Sequence, residues 1–207
     1  MNSIDLREVG VRGQSAAEDD YHFQTNLNKV TIEGNEDYRL VLFFIKKGQV
    51  MPLHDHPNMS VYFKLMFGKL SYNSYDKIDK KFQYNQFSND EYEEVLANKT
   101  RVEAKKSEKK YLDQNNLLLV RPSVGNMHKF VAEEDSCFFD ICLPNYTTDS
   151  LRRITYFNEI SEEIAPGKNS RTLLEYNVTP PVMPVGFDVA EVEYRGDILE
   201  AGKTFGI

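Results

Sequence analysis

Short apolar or alternating runs recur along the chain between turn residues: Tyr38 to Ile45, Val61 to Phe67, Lys69 to Tyr75, Asn116 to Arg121, Lys129 to Ala132, Cys137 to Leu143 and Val189 to Tyr194. Each has the length of a strand, and Val, Ile, Phe and Tyr supply side chains that suit a pleated, half-buried surface. No long stretch of helical periodicity separates them. The pattern therefore predicts a mainly β chain, folded as an antiparallel sandwich or barrel rather than a parallel βαβ sheet. Three regions depart from it. Residues 1–24 are polar, contain Gly10 and Gly13, and read as a loose arm or a short helix. Residues 77–113 are highly charged and read as a long loop or hairpin extension between two strands, with a helical turn near Glu91 to Leu96. From about residue 158 the chain reads as a wrapping tail, in which Thr179-Pro-Pro-Val-Met-Pro184 favours extended or polyproline-like backbone. The expected organisation is an arm over 1–24 and a single domain over 25–207.

The 207 residues suffice for one sizeable core. A formal charge of −7, from 25 basic and 32 acidic residues, argues against general affinity for nucleic acid or anionic membrane. Acids interrupt the run Lys105-Lys106-Ser-Glu-Lys109-Lys110, which reads as solvated. The start has no apolar leader, and the longest apolar run, Leu40 to Ile45, is too short to cross a bilayer. A cytoplasmic or nuclear monomer without a membrane partner is the expectation. Cys137 and Cys142, five apart on one predicted strand, face opposite sides and read as reduced thiols.

The candidate chemistry lies in the histidines, of which there are only four. In Met51-Pro-Leu-His-Asp-His-Pro-Asn-Met59, residues two apart on a strand share a face, so His54 and His56 point one way and Asp55 the other. Gly48 precedes the pair, Pro57-Asn58 supplies a turn, and Gly68 follows. His128 comes after the Gly125-Asn126 turn, at the start of another strand. An isolated His-x-His is more often a pair of ordinary loop histidines. The flanking glycines and prolines and the placement of His128 make a three-imidazole metal site the leading reading. His22 stands outside the pattern and reads as a surface residue.

Gly48-x5-His54-x-His56-x4-Val61-x6-Gly68 resembles the first cupin motif, and Pro122-Ser-Val-Gly125-Asn-Met-His128 resembles the second. That resemblance implies a double-stranded β-helix, a jelly-roll-like barrel with few short helices. Val61 stands where many cupins carry a glutamate ligand; three neutral imidazoles leave the full charge on a divalent ion and several positions open. Further runs, Lys64-Leu-Met-Phe-Gly68, Ser74-Tyr-Asp76, Phe139-Asp-Ile-Cys-Leu-Pro144 and Glu193-Tyr-Arg-Gly196, are similar in order to the cysteamine dioxygenase and plant cysteine oxidase family of thiol dioxygenases. The resemblance spans about residues 38 to 198, interrupted by the charged region.

The resemblance implies Fe(II) held by His54, His56 and His128, and addition of both atoms of O2 to a thiol to give a sulfinic acid. The substrate it implies is the N-terminal cysteine of a peptide or protein, as an oxygen-sensing step before degradation, or else cysteamine. Asp140 matches the family's aspartate, a partner for the substrate amine or for a ligand histidine; the competing reading is a structural salt bridge with an arginine. Tyr146 matches a tyrosine that lines the substrate entrance or simply packs, and Tyr156 a cavity-lining phenol. Ile154 stands where relatives carry a cysteine, which rules out the thioether cross-link that some animal relatives form. Pro144-Asn145 replaces Pro-Pro. Asn58 replaces the usual glycine, a mild change because Asn tolerates left-handed backbone. Two other readings compete: a cupin with another metal and a non-thiol substrate, or a non-catalytic module whose closed structural zinc would need a fourth ligand, with Asp140 the candidate.

Overall fold

The computed structural model describes residues 6–160 and 171–196. In chain order the strands are β1 (Leu27–Gly34), β2 (Arg39–Ile45), β3 (Val50–Asp55), β4 (Ser60–Phe67) and β5 (Leu70–Lys77). Two short helices follow, α1 (Lys80–Gln83) and α2 (Asn89–Ala97). Then come β6 (Arg101–Lys106), β7 (Lys110–Leu112), β8 (Leu117–Val120), β9 (Met127–Ala132), β10 (Ser136–Leu143), β11 (Tyr156–Glu159), β12 (Arg171–Val178) and β13 (Ala190–Glu191). They form two sheets, ordered β13-β1-β2-β10-β4-β8 and β6-β12-β11-β3-β9-β5-β7. Every pairing is antiparallel except that of β13 with β1. The mainly β antiparallel fold expected from the residue pattern, and the cupin-type barrel that the resemblance implies, are the observed architecture.

Alternation does the work locally. In β4, Val61, Phe63, Leu65 and Phe67 are buried while Ser60, Tyr62, Lys64 and Met66 are half-exposed. Between the sheets Phe63 stacks on Phe130 and Phe138, with ring centroids 5.0 and 4.9 Å apart, and Leu27, Ile45, Leu65 and Leu70 complete the cluster. Each such ring withdraws enough apolar surface to contribute on the order of 1.5–3 kcal/mol. Gly68 turns β4 into β5 at φ +84°, and a Cβ there would lie 2.3 Å from the Asp135 carbonyl oxygen; only glycine fits.

Several expectations are corrected. Of the two readings of the charged region 77–113, long loop or hairpin extension, the structure has the second, with β6 returning antiparallel to β5. Besides α1 and α2, it contains β6, which pairs with both β12 and β5 and so closes the second sheet on itself. The expected helical turn near Glu91 to Leu96 lies within α2, which starts with a capping box between Ser88 and Glu91. The tail from 158 holds β12, an interior strand between β6 and β11; the stretch after it leads to β13 on the β1 edge. Within the expected arm, residues 6–24 contain no helix and are packed down: Val9, Val11 and Phe23 join the apolar outer face of the first sheet. His22 is buried rather than on the surface, its Nδ1 2.8 Å from Asp19 Oδ2 and its ring stacked on Phe44 at 4.6 Å. The ends of the expected arm and domain, 1–5 and 197–207, lie outside the described residues, as does 161–170. Among the described residues no helix is long and apolar enough to cross a membrane.

Candidate metal centre and its cavity

β3 and β9 run side by side with His54 directly opposite His128. The ladder is irregular between Met51 and His54, where Pro52 offers no N–H. His56 lies one residue past the end of β3. Asn126 fixes it there: its Nδ2 donates to the His56 carbonyl (2.6 Å) and its Oδ1 accepts the His56 N–H (3.3 Å). The three rings converge with centroids 4.9, 4.7 and 4.8 Å apart, all buried, and their ligand nitrogens lie within 4.8 Å of one another. Phe130 backs His128 at 4.6 Å. Asp55 points away from this cluster, as strand parity predicts. Asn58 takes φ +57°, the left-handed backbone foreseen for it, and donates to the carbonyls of Tyr84 and Leu151.

The outward nitrogens are held as well. His54 Nδ1 donates to the Pro52 carbonyl (2.8 Å). Tyr146 closes a relay on His56: Nδ1 donates to the phenol oxygen (2.5 Å) and the phenol donates to the Asp55 carbonyl (3.0 Å). Such partners fix tautomer and ring orientation and leave Nε2 as the ligand. Burial lowers the pKa of all three histidines, and for His56 and His128 the neighbouring imidazoles push it lower still, so they are neutral donors at pH 7.

The residues fit a metal ion. His56 Nε2 and His128 Nε2 are 3.2 Å apart, and two lone pairs at that distance repel unless a cation or a proton lies between them. Bonds of about 2.1 Å at right angles place two nitrogens about 3 Å apart. Among the described residues no Asp, Glu or Cys joins the cluster. That disfavours the closed zinc site, which needs a fourth protein ligand. Val61, where a carboxylate ligand was the alternative, is buried among Met59, Val120 and Cys142.

His54 and His56 line a cavity of about 460 Å³. The opposite wall comes from β2 and β10, through Arg39, Val41, Asp140 and Cys142, and Pro180, Met183 and Phe187 border it from the segment after β12. Ile154, Tyr146 and Tyr156 also face it. The Tyr156 ring lies 6.1 Å from that of His54, and burial pushes its hydroxyl up to about 12, so it stays protonated. Asp140 is 7% exposed, and among the described residues its Oδ1 has no hydrogen-bond partner and it forms no salt bridge to an arginine. Burial pushes its carboxyl up to about 8, against a smaller opposing pull from Arg39.

The sign of that shift yields an expectation. A carboxyl bound to its proton more tightly in the folded state adds stability below pH 4, and that stability is lost as pH rises through about 8. Asp140→Asn should therefore match the wild type near pH 4 and exceed it by a few kcal/mol at pH 8, at roughly 1.4 kcal/mol per pK unit as an upper bound. Urea unfolding of both proteins across that range measures the difference; parallel curves would contradict it.

A family model described as PCO_ADO matches residues 1–199. The chain belongs to the PCO_ADO family. Relatives in it include plant cysteine oxidase 1 of Arabidopsis thaliana, 29% identical over 60% of this chain, and a probable 2-aminoethanethiol dioxygenase of Dictyostelium discoideum, 27% identical over 61%. The 2-aminoethanethiol dioxygenase of Homo sapiens is 27% identical over 70% of this chain. These matches cover 39%, 53% and 57% of the three PCO_ADO relatives, so the chain spans about half the length of the curated proteins it matches. A Klebsiella pneumoniae protein with a double-stranded β-helix domain is 14% identical over 65% of this chain and 92% of that one, at a TM-score of 0.40; the assignment of this PCO_ADO member to the cupin barrel rests on its own sheet topology.

Four residues that hold or flank this PCO_ADO site carried no assigned role in the sequence reading. Asn126 was only part of a turn. Thr155 exchanges two backbone-anchored hydrogen bonds with Asp55, Lys77 neutralises Asp55, and Arg39 enters the cavity. Pairing register could have found Arg39, since it begins a strand whose alternate residues face the histidines.

Proposed function

We propose that this protein is an Fe(II)-dependent thiol dioxygenase acting on a cysteine at the N-terminus of a peptide or protein. The observation that carries the reading is the set of three buried, neutral imidazoles, with no carboxylate joining them among the described residues, two of which line a cavity whose far wall holds an unpartnered aspartate. Membership of the PCO_ADO family and the names of its curated relatives support it. Imidazole accepts several divalent metals, and Fe(II) is chosen because the reaction needs a redox-active one. When bound, iron supplies open positions and the one-electron chemistry that lets a thiol react with O2.

In the proposed reaction both oxygen atoms pass to sulfur. The thiol becomes a sulfinic acid, sulfur loses four electrons, and O2 accepts them without an external reductant. His54, His56 and His128 hold the centre, with Tyr146 and Pro52 fixing two of the rings. Asp140 receives the substrate's ammonium: the incoming cation supplies the partner that its Oδ1 lacks and draws the carboxyl below about 8, so binding at neutral pH releases a proton. Tyr156 offers a phenol proton to the reacting groups. Val41, Phe43, Met183 and Phe187 exclude water. A cavity of about 460 Å³ is drug-sized, far larger than a small aminothiol fills, which favours a peptide over cysteamine. Because O2 is consumed as co-substrate, the rate follows its supply, the property an oxygen-sensing step requires.

The test is to load the protein with Fe(II) anaerobically, add a peptide beginning with cysteine, admit O2 and follow peptide mass. Gain of two oxygen atoms, absent when the amine is acetylated, supports the proposal; an unchanged peptide overturns it. Cysteamine run in parallel shows whether the small thiol is the better substrate.

A further inference from the structure

The cavity holds a charged group that the reaction above leaves without a task. Arg39 opens β2 and faces the cavity together with Asp140 and Cys142. In the β2–β10 ladder Arg39 lies opposite Cys142, and Val41 opposite Asp140. Arg39 and Asp140 are therefore diagonal neighbours on one face, a spacing of roughly 7–8 Å. Opposite charges so placed commonly close into an ion pair. Among the described residues these do not: Asp140 Oδ1 is unpartnered, and the side-chain hydrogen bond of Arg39 runs the other way, from Nη2 to Thr31 Oγ1 (3.1 Å). Thr31 donates on to Glu191 (2.8 Å), which pairs with Lys29 (2.5 Å). These bonds tether the guanidinium through one of its five donors, and no other described residue takes up the rest, which are available to a ligand. Lys29, which pairs with Glu191, and the exposed Asp188 also border the cavity; the guanidinium and the buried carboxyl, each with unmet hydrogen-bonding capacity, call for a ligand that carries both complements a short distance apart.

Resting on the thiol dioxygenase reading, we infer that Arg39 is a specificity-determining residue that binds the acyl oxygen beside the substrate's amine-bearing carbon while Asp140 binds the amine. That oxygen is the first peptide carbonyl of an N-terminal cysteine or the carboxylate of free cysteine. Thiol, amine and acyl group all radiate from one carbon, so the histidine centre, Asp140 and Arg39 give three points of attachment. Cysteamine has no acyl oxygen and gains nothing from Arg39. The wall therefore selects cysteinyl substrates over the decarboxylated thiol by a fixed, charge-assisted hydrogen bond.

The experiment is anaerobic calorimetry of the full chain, with metal content matched between variants, titrated with a cysteine-initiated hexapeptide, free cysteine and cysteamine. Arg39→Met is expected to raise the dissociation constant of the hexapeptide about 10-fold or more and to leave that of cysteamine within about twofold. Arg39→Lys, which keeps the charge but not the fork, should fall between. A loss confined to free cysteine assigns the subsite to a carboxylate; a loss for both assigns it to an acyl oxygen of either kind. Unchanged hexapeptide and cysteine binding, equal losses for all three ligands, or a wild type that binds none of them overturns the inference. Oxidation of the hexapeptide is scored separately. Arg39-dependent binding without oxidation removes the dioxygenase reading and leaves the subsite, whereas oxidation with Arg39-independent binding does the reverse.

Discussion

Lys77→Met is expected to destabilise the protein by about 3–5 kcal/mol, the cost of leaving a buried charge without its partner. Lys77 and Asp55 are 4% and 0% exposed, and Lys77 Nζ lies 2.9 Å from Asp55 Oδ2. The ammonium spends its other protons on the Tyr176 hydroxyl and the Phe82 carbonyl, both at 3.2 Å, and sits over the Phe157 ring at 4.7 Å. Burial alone would push its pKa down, but Asp55 and Tyr176 hold it above the ordinary lysine value. Asp55 in turn accepts the Thr155 N–H at 2.8 Å and donates its own N–H to the Thr155 carbonyl at 3.1 Å, while Tyr92 hydrogen-bonds the Thr155 hydroxyl. The removed group thus anchors the residue between two of the three clustered histidines. Urea unfolding should register the loss, and the thermal midpoint should fall by roughly 10 °C at 2–4 °C per kcal/mol for a chain of this size. Adding Asp55→Asn to Lys77→Met removes the stranded charge and should recover part of the loss. A single variant within about 1 kcal/mol of the wild type would show that the ion pair holds nothing in place.

The second large effect is expected from His128→Ala. Removing a partner outside the ligand set usually weakens a metal 10- to 100-fold, and removing one of three ligands should exceed that. His54 and His56 alone then form a two-point chelate without the nitrogen that faces His56 across 3.2 Å. Co(II) titrated anaerobically and followed by its visible absorption should bind the wild type stoichiometrically and the variant more than about 100-fold more weakly, with peptide oxidation lost in parallel. His22→Ala is the control: it removes the one histidine outside the cluster and should leave the Co(II) spectrum unchanged. Stoichiometric binding by His128→Ala would place the metal elsewhere.

How much of this was legible in the sequence depended on which faces a segment shows. β2, β4 and β10 carry unbroken apolar periodicity and were readable, as was the triad, because the flanking glycines and prolines and the placement of His128 set the His-x-His pair apart from ordinary loop histidines. β6 was hidden: Val102 and Ala104 face inward, but Arg101, Glu103, Lys105 and Lys106 make the segment look like solvated loop. β12 shows the same alternation through Thr172, Leu174 and Tyr176, obscured by the polar context that introduces it. Buried polar groups were the least visible. A lysine such as Lys77 reads as surface until its carboxylate is located across the sheet, and His22 reads as surface until Asp19 and Phe44 are seen around it. Asp140 was recognised as a site candidate, yet only the geometry separated an unpaired carboxylate from a salt bridge.

A catalyst that oxidises thiols has to spare its own. Cys142 lies on the same wall as Asp140 and packs against Tyr146, within the cavity the substrate sulfur would enter. Burial, with Asp140 beside it, pushes this thiol up to about 12, so at neutral pH it stays protonated, and the thiol is far less reactive than the thiolate. A substrate cysteine arrives from water with ordinary acidity and ionises readily beside a divalent cation. On the proposed reading, the same dry wall that shelters the reaction protects the protein's own thiol from it, and burial, with Asp140 beside it, tells self from substrate.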